Sequence, residues 1–547
     1  MNTMSFREKL KNSDRRSLWD EYCGFLDLSL EEYMQIQNRL MTEQMELWSR
    51  SALGQKILDG RVPQTIEEFR KTVPLTTYWD YADILLQKKK EMLPGEPIVW
   101  IETTWEGGRH PIKVAPYTKG MLETYQNNLI AVLMMSTSTG KGRFNVNPGE
   151  TVLYGLAPLP YPTGLIPLAL DEEIGLEFLP HVKDAVRMSF SERNKKGFEM
   201  GLVKGIDYFF GMGSVAYFVS TSLAASGGSS KGFSKKSVMN SKVSTVLRLL
   251  RAKQICKKEE RPLRPKDIFH LKGFVCAGTD NWCYKDELEE LWGVRPMELF
   301  SGTEPSCIGT ETWNKNGLYF FPDACFYEFI PEDEMNISLD DPDYAPRTCL
   351  MNEVVSGEKY ELVISVLKGG AFARYRVGDT YRCLGLTCTE DDTRIPRFQY
   401  LDRVPTVIDI AGFTRITENS IASVMELSHL PVENWAAAKE YADNKRPLLH
   451  LYVEIKPDAL KSHAVTTEIL KEHLSVYFKY IDHDYNDLKK LLGIDPLKIT
   501  VLKCGTFAEY FRRTGRRLRH INPSTYDLGD MLRMQNQEYR AVRRFGL

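Results

Sequence analysis

The sequence predicts an α/β protein in two parts: a large N-terminal α/β domain over 1–396 and a small C-terminal α+β domain over 434–547, joined by a hinge and linking segment over 397–433. Three observations predict it. The first ninety residues carry apolar side chains at roughly helical spacing. Between about 270 and 400, short apolar runs are separated by Gly and Pro turns, the pattern of strands in a mixed α/β body. From Asn434 on, strand-like runs alternate with helical ones.

Taken in order, Leu26, Leu28, Leu30, Tyr33, Ile36 and Leu40 mark a helical region, and Pro63-Gln64-Thr65 before Glu67 and Glu68 marks a helix start. A turn at Pro94-Gly95 opens a β-rich stretch to Lys113 with Ile98, Trp100 and Ile101. Pro116-Tyr117-Thr118 leads into a helix over 119–135. Leu153 to Leu170 lacks charge, but Pro158, Pro160, Pro162 and Pro167 predict an extended buried loop, not a membrane span. Tyr208 to Ser226 also lacks charge, and its Gly, Ser and Thr content predicts a buried helix. Ser226 to Pro265 is Ser/Gly-rich and then basic, with eleven Lys and Arg against Glu259 and Glu260. Such a run reads as a solvated loop and helix face, with an anion-facing surface as the other reading. Strands follow at Phe274–Ala277, Met297–Phe300, Leu318–Phe321, Ala324–Ile330, Tyr360–Leu367, Leu448–Ile455 and Lys498–Leu502, with a helix over Thr466–Phe478.

Composition bounds the function. Of 547 residues, 43% are apolar and 26% charged, which excludes a disordered or fibrous chain. Lys+Arg 71 against Asp+Glu 73 gives a net charge of −2, no global reason to expect nucleic acid or an anionic membrane as partner. The ten cysteines form no C-x-x-C pair, and the charged N-terminus has no apolar signal core; both predict reduced thiols in the cytoplasm.

Three polar loops follow apolar strands. In Phe300-Ser301-Gly302-Thr303-Glu304, Gly302 permits a tight turn, Thr303 offers a hydroxyl and Glu304 a carboxylate. In Arg374-Tyr375-Arg376-Val377-Gly378-Asp379, the Asp after a Gly turn can accept ribose hydroxyls or cap the turn. Tyr400-Leu401-Asp402-Arg403 lies where a hinge between domains is expected. Ser136-Thr-Ser-Thr-Gly140-Lys141-Gly142 imitates a phosphate loop but precedes a turn instead of opening a helix. His473 and His483 lack metal-ligand spacing, Asp482 to Asp487 lacks the central Gly and final Glu of a calcium loop, and no G-x-S-x-G elbow occurs.

The order of the three loops before a small C-terminal domain resembles the adenylate-forming enzymes. The closer resemblance is to the plant auxin-responsive Gretchen Hagen family of acyl acid–amido synthetases and its bacterial relatives. It is carried by GTDNWCYKDELEELWGVRPMELFSGTE, LYFFPDACFYEFIPEDE, YELVISVLKGGAFARYRVGDTYRC and FQYLDRVPTVIDIAGFTRITENSI, and runs from about Val73 to Pro523. The resemblance implies ATP and Mg²⁺ as cofactors, and a small carboxylic acid activated as an acyl-adenylate. The acyl group then passes to an amine such as an amino acid, or to a thiol such as coenzyme A. It implies that Thr303 lies by the α-phosphate and acyl carboxylate, that Glu304 helps hold Mg²⁺, that Asp379 binds the ribose with Arg403 near it, and that Ser301 and Gly302 line the adenine side. The family's phosphate loop falls on Thr103, Thr104, Gly107, Gly108 and Lys113, with Arg109 as an added donor.

Two departures keep a second reading open, a nucleotide- or acid-binding member without catalysis. Trp105 and Glu106 stand inside the phosphate loop. The C-terminal lysine of many adenylate-forming enzymes falls on Ile521 or Asn522 in Arg519-His520-Ile521-Asn522-Pro523. Arg512, Arg513, Arg516, Arg517 and Arg519 lie nearby, as substitutes or as a solvated basic face.

Overall fold

The computed structural model describes residues 4–103, 112–188, 190–225, 243–412, 414–457, 467–481 and 495–544. These residues form two compact units, the first ending at Asp402 and the second beginning at Arg403.

In the first unit, β1 (Pro97–Glu102) pairs antiparallel with β2 (Val114–Thr118). The helix Lys119–Ser136 follows directly, its N-terminus capped by the Thr118 hydroxyl. A seven-stranded sheet comprises β3 (Thr151–Gly155), β4 (Glu177–Leu179), β5 (Tyr208–Met212), β6 (Gly273–Ala277), β7 (Met297–Gly302), β8 (Ser306–Thr310) and β9 (Tyr319–Phe320), in the order β4-β3-β5-β6-β7-β8-β9. From β4 to β7 the neighbours run parallel; β8 and β9 are antiparallel additions. Tyr208, Phe210 and Val275 join one core, while their neighbours Phe209, Phe274 and Cys276 join another with Phe198, Leu288 and Trp292. Period-two alternation on a sheet covered on both faces explains why these strands read as continuous apolar runs. A second sheet holds β10 (Cys325–Pro331), β11 (Cys349–Leu350), β12 (Lys359–Val366), β13 (Tyr375–Gly385) and β14 (Arg397–Arg403), in the order β11-β10-β12-β13-β14.

In the second unit, β15 (Val407–Ile410) pairs antiparallel with β16 (Thr414–Thr417). A three-stranded sheet orders β17 (Val432–Tyr441), β18 (Pro447–Ile455) and β19 (Leu497–Leu502). Leu449, Leu451 and Val453 share a core with Leu470 and Leu474 of the helix Thr467–Ile481. Tyr452 and Leu502 share the other core with Tyr510 and Met531.

Two expectations are corrected. The charge-free stretch from Leu153 is extended only in part, because Leu165–Ile174 is a helix. Pro167 sits in its first turn, where a missing N–H has no helical partner to lose. Tyr208 to Ser226 is not one helix: Tyr208–Met212 is a strand and Gly213–Ala225 the helix after it. Among the described residues no helix is long and apolar enough to cross a membrane.

Candidate active site

In an open sheet of this kind ligands gather at the carboxyl ends of the parallel strands. β7 ends there in Ser301 and Gly302, both half-buried, and turns through Thr303 and Glu304 into β8. A Cβ on Gly302 would stand 3.0 Å from the Pro305 ring, so the tight turn calls for glycine. The turn is also held from outside. The Tyr117 hydroxyl, on β2, donates to the Thr303 carbonyl at 2.9 Å.

Glu304 is buried, yet its carboxylate is engaged. The Tyr375 hydroxyl, on β13, donates to Oε1 at 2.6 Å, and the Lys113 ammonium lies 3.4 Å from the same atom. Lys113 Nζ is also 3.4 Å from the Tyr375 oxygen and 5.9 Å from the centre of the Tyr78 ring. Burial, and next the charge on Glu304, push the Tyr375 phenol well above its usual range, so it stays protonated and donates. Burial pushes Tyr78 up to about 12. Thr103, buried at the end of β1, exchanges backbone and side-chain hydrogen bonds with Lys113: its N–H donates to the Lys113 carbonyl at 3.0 Å, and its hydroxyl accepts from the Lys113 N–H at 3.0 Å. The result is a cation and an anion side by side, fixed by a phenol.

Asp379 is placed by a β-bulge. Glu361 pairs with Thr380 and Val363 with Arg376, so three residues of β13 stand opposite one on β12. Gly378 supplies the positive φ, +80°, that the bulge needs. Asp379 is buried, and the Tyr400 hydroxyl donates to it at 3.3 Å. The Tyr400 ring stacks on Phe300, two residues before Gly302, with centroids 6.0 Å apart. Asp379 is thus tied through one aromatic contact to the strand that carries the Ser301–Glu304 turn.

The structure therefore brings Thr303, Glu304, Lys113 and Thr103 together, with Ser301, Gly302 and Asp379 on connected elements. Arg403 closes β14, half-buried, and belongs to the second unit. Thr104, Gly107 and Gly108, like Trp105, Glu106 and Arg109, lie outside the described residues. Arg374, two positions from the bulge's start, has a structural role: buried, it pairs with Glu328 at 2.9 Å and donates to the carbonyls of Arg70 and Val73. Lys141 of the phosphate-loop look-alike is occupied by Asp27 at 2.6 Å and by Asp392. Sequence reasoning missed Tyr78, Tyr117, Tyr375 and Tyr400. Tyr375 lay inside a motif valued only for its Asp and Tyr400 inside one valued only for its hinge position, and no local spacing marks Tyr78 or Tyr117.

At the C-terminal segment, Ile521 is buried in the core shared by Leu449 and Val453. The Asn522 side chain accepts from the Lys439 N–H at 2.9 Å and donates to the Val407 carbonyl at 3.3 Å. Arg512 and Arg513 pair with Glu509, and Arg516 lies 3.4 Å from Asp527.

Residues 318–403 match the family model described as the GH3 family central domain, which bears out the resemblance read from the sequence. A solved structure of the AtGH3.15 acyl acid amido synthetase in complex with 2,4-DB superposes with a TM-score of 0.51 at 16% identity, covering 96% of this chain and 95% of that one. A 2-hydroxyisobutyryl-CoA ligase in complex with 2-HIB-AMP and CoA, in the thioesterification state, gives 0.56 at 16% identity, covering 94% of each chain. The chain shares the fold of these two enzymes. No curated protein sequence matches.

Proposed function

We propose that this protein uses ATP to activate a small carboxylic acid as an acyl-adenylate and then transfers the acyl group to an amine. The observation that carries this reading is the junction of Glu304, Lys113 and Tyr375 beside the Thr303 turn. In the first step a carboxylate oxygen attacks the α-phosphorus, the bond to the bridging oxygen breaks, and pyrophosphate leaves. In the second step an amine nitrogen attacks the acyl carbon, AMP leaves with the bonding pair, and the nitrogen sheds a proton.

Negative charge grows on the α-phosphate oxygens during the first step. A cation already fixed nearby stabilises that charge without reorganising. Lys113 is the residue of the described site that fits this need, since Glu304 and Tyr375 orient its ammonium before any substrate arrives. Thr303 offers its hydroxyl to the acyl carboxylate. Asp379 accepts the two ribose hydroxyls, with Tyr400 holding the carboxylate, and Ser301 and Gly302 border the adenine. Arg403 belongs near the ribose in this reading.

Among the described residues no group of three or more His, Cys, Asp or Glu is arranged to hold a metal. Mg²⁺ needs no such cage, because it is held by one or two carboxylates together with phosphates and water. Glu304 fits as that carboxylate, and the ion would neutralise phosphate charge. All ten cysteines are free thiols, which supports a reducing, cytoplasmic setting.

ATP–pyrophosphate exchange against a panel of acids tests the reading, because it reports adenylation whatever the acceptor. Adding amino acids or coenzyme A to the exchanging acid then separates amide from thioester formation. A second reading, a nucleotide- and acid-binding protein without adenylation, is favoured by Ile521 and Asn522, which fill the lysine position with a core side chain and a backbone clamp. ATP binding without exchange for any acid would decide for it.

A further inference from the structure

The basic stretch before Pro265 continues, among the described residues, as the helix Val243–Lys258. One side of this helix is ordinary. Ala252 and Cys256 are buried in the core that also holds Phe198, Phe269 and Trp292. The other side is not. At about 100° per residue, Leu247, Leu250 and Ile255 fall within an arc of about 140° facing away from Ala252 and Cys256. Their side chains are 49%, 58% and 49% exposed. Single exposed leucines are common on protein surfaces, but three large aliphatic residues sharing one helix face call for a partner.

The charges on the same helix say which kind. Arg251, Lys257 and Lys258 are exposed within or beside that arc, Arg248 and Lys253 bring the basic residues of the helix to five, and it has no Asp or Glu. The whole chain carries −2, so a helix of +5 stands against −7 over all other residues (−2 − 5 = −7). The positive charge is concentrated here and is not part of a generally basic surface.

We propose that the outer face of Val243–Lys258 is a docking surface for an anionic lipid bilayer. Lys and Arg heads meet the phosphates while Leu247, Leu250 and Ile255 enter the boundary between headgroups and acyl chains, the arrangement by which interfacial helices bind reversibly. A nucleic acid backbone would satisfy the cations but leave the three aliphatic side chains in water, because phosphate contacts are made by charged and polar groups. This revises the sequence-based expectation of no membrane partner. It concerns lying on a bilayer, not crossing one, and does not depend on the reaction proposed above.

The test is co-sedimentation of the full chain with vesicles of phosphatidylcholine alone and of phosphatidylcholine mixed with phosphatidylserine. The chain should bind the mixed vesicles, bind the neutral ones weakly or not at all, and come off as salt is raised. Arg251→Glu/Lys257→Glu/Lys258→Glu should weaken binding about a hundredfold or more, at roughly one factor of five per basic residue lost. Leu247→Ser/Leu250→Ser should weaken it about tenfold at unchanged charge. All substituted side chains are exposed, so both variants should melt as the parent does; if the triple variant does not fold, Lys257→Glu/Lys258→Glu carries the same test. Absence of binding by the parent to mixed vesicles overturns the proposal, as does binding that the charge variant leaves unchanged. If the leucine variant binds vesicles like the parent while the charge variant loses affinity for duplex RNA, the face is a nucleic acid surface and the proposal fails.

Discussion

The turn after β7 and the segment at Ile521 hold corresponding ranks in the proposed chemistry, and the chain treats them oppositely. At the turn, polar side chains are buried and then held by other polar side chains: Glu304 by Tyr375 and Lys113, the Thr303 carbonyl by Tyr117. Nothing in packing alone requires a carboxylate and an ammonium there. At Ile521 the side chain is apolar and buried, and Asn522 next to it serves the backbone of its own unit. The first region spends stability on placed charge, and the second spends a position available for charge on stability. Polar groups that are expensive to bury and yet retained mark function better than the presence or absence of one expected residue.

The contrast can be broken most directly at Ile521. Ile521→Lys places an ammonium in an apolar core and should cost about 4 kcal/mol of stability, read as a lower denaturant midpoint. A variant that keeps its stability and gains exchange activity would show that the segment leaves the core during the reaction, and the contrast would collapse. The next largest effect lies on the other side. Lys113→Ala should lower ATP–pyrophosphate exchange about a hundredfold with little change in melting, since Lys113 is only part-buried. A robust exchange rate untouched by this change would remove Lys113 from the phosphate site.

Asp379→Ala should weaken ATP or AMP binding about tenfold or more, through loss of charge-assisted hydrogen bonds worth about 1.5–3 kcal/mol. Calorimetric titration of the folded variant reads this directly, and equal affinity would reduce Asp379 to a bulge residue. The smallest effect sharpens the second region. His450, then Tyr452, hold the Glu440 carboxyl down at about 2, against an ordinary 4.5. A carboxylate depressed on folding contributes stability that is present above about pH 4.5 and is lost as the pH falls through about 2. Because Glu440 is partly exposed, the contribution is about 1–2 kcal/mol after allowance for solvent screening. Glu440→Gln should therefore flatten the acid limb of the melting curve within that window and leave neutral exchange activity unchanged.

Much of this was legible in the sequence where local rules operate. Thr65 caps the helix Ile66–Thr72 as its Glu67 and Glu68 neighbours promise, and the short apolar runs from Phe274 to Leu502 are strands. Local rules failed at Leu165–Ile174, where Pro167 was counted as a breaker although it occupies a first turn. They failed again at Tyr208 to Ser226, where a strand and a helix share one uncharged run and periodicity cannot divide them. The site divides the same way. Ser301 to Glu304 and Asp379 stand in contiguous motifs and could be named. Tyr78 and Tyr117 act through partners far along the chain, and distance in sequence hides them.

That distance has a consequence for how the protein is made. The Tyr375–Glu304 contact closes a loop of 71 residues, and the Lys113–Tyr375 contact closes one of 262. A ribosome releasing this chain from its N-terminus has exposed Lys113, both strands of its hairpin and the whole seven-stranded sheet before Tyr375 emerges. Until then Glu304 has no phenol, and the nascent site is a carboxylate and a lysine without their brace. If the proposed reaction is right, competence to bind nucleotide should thus appear late in synthesis, when β13 docks.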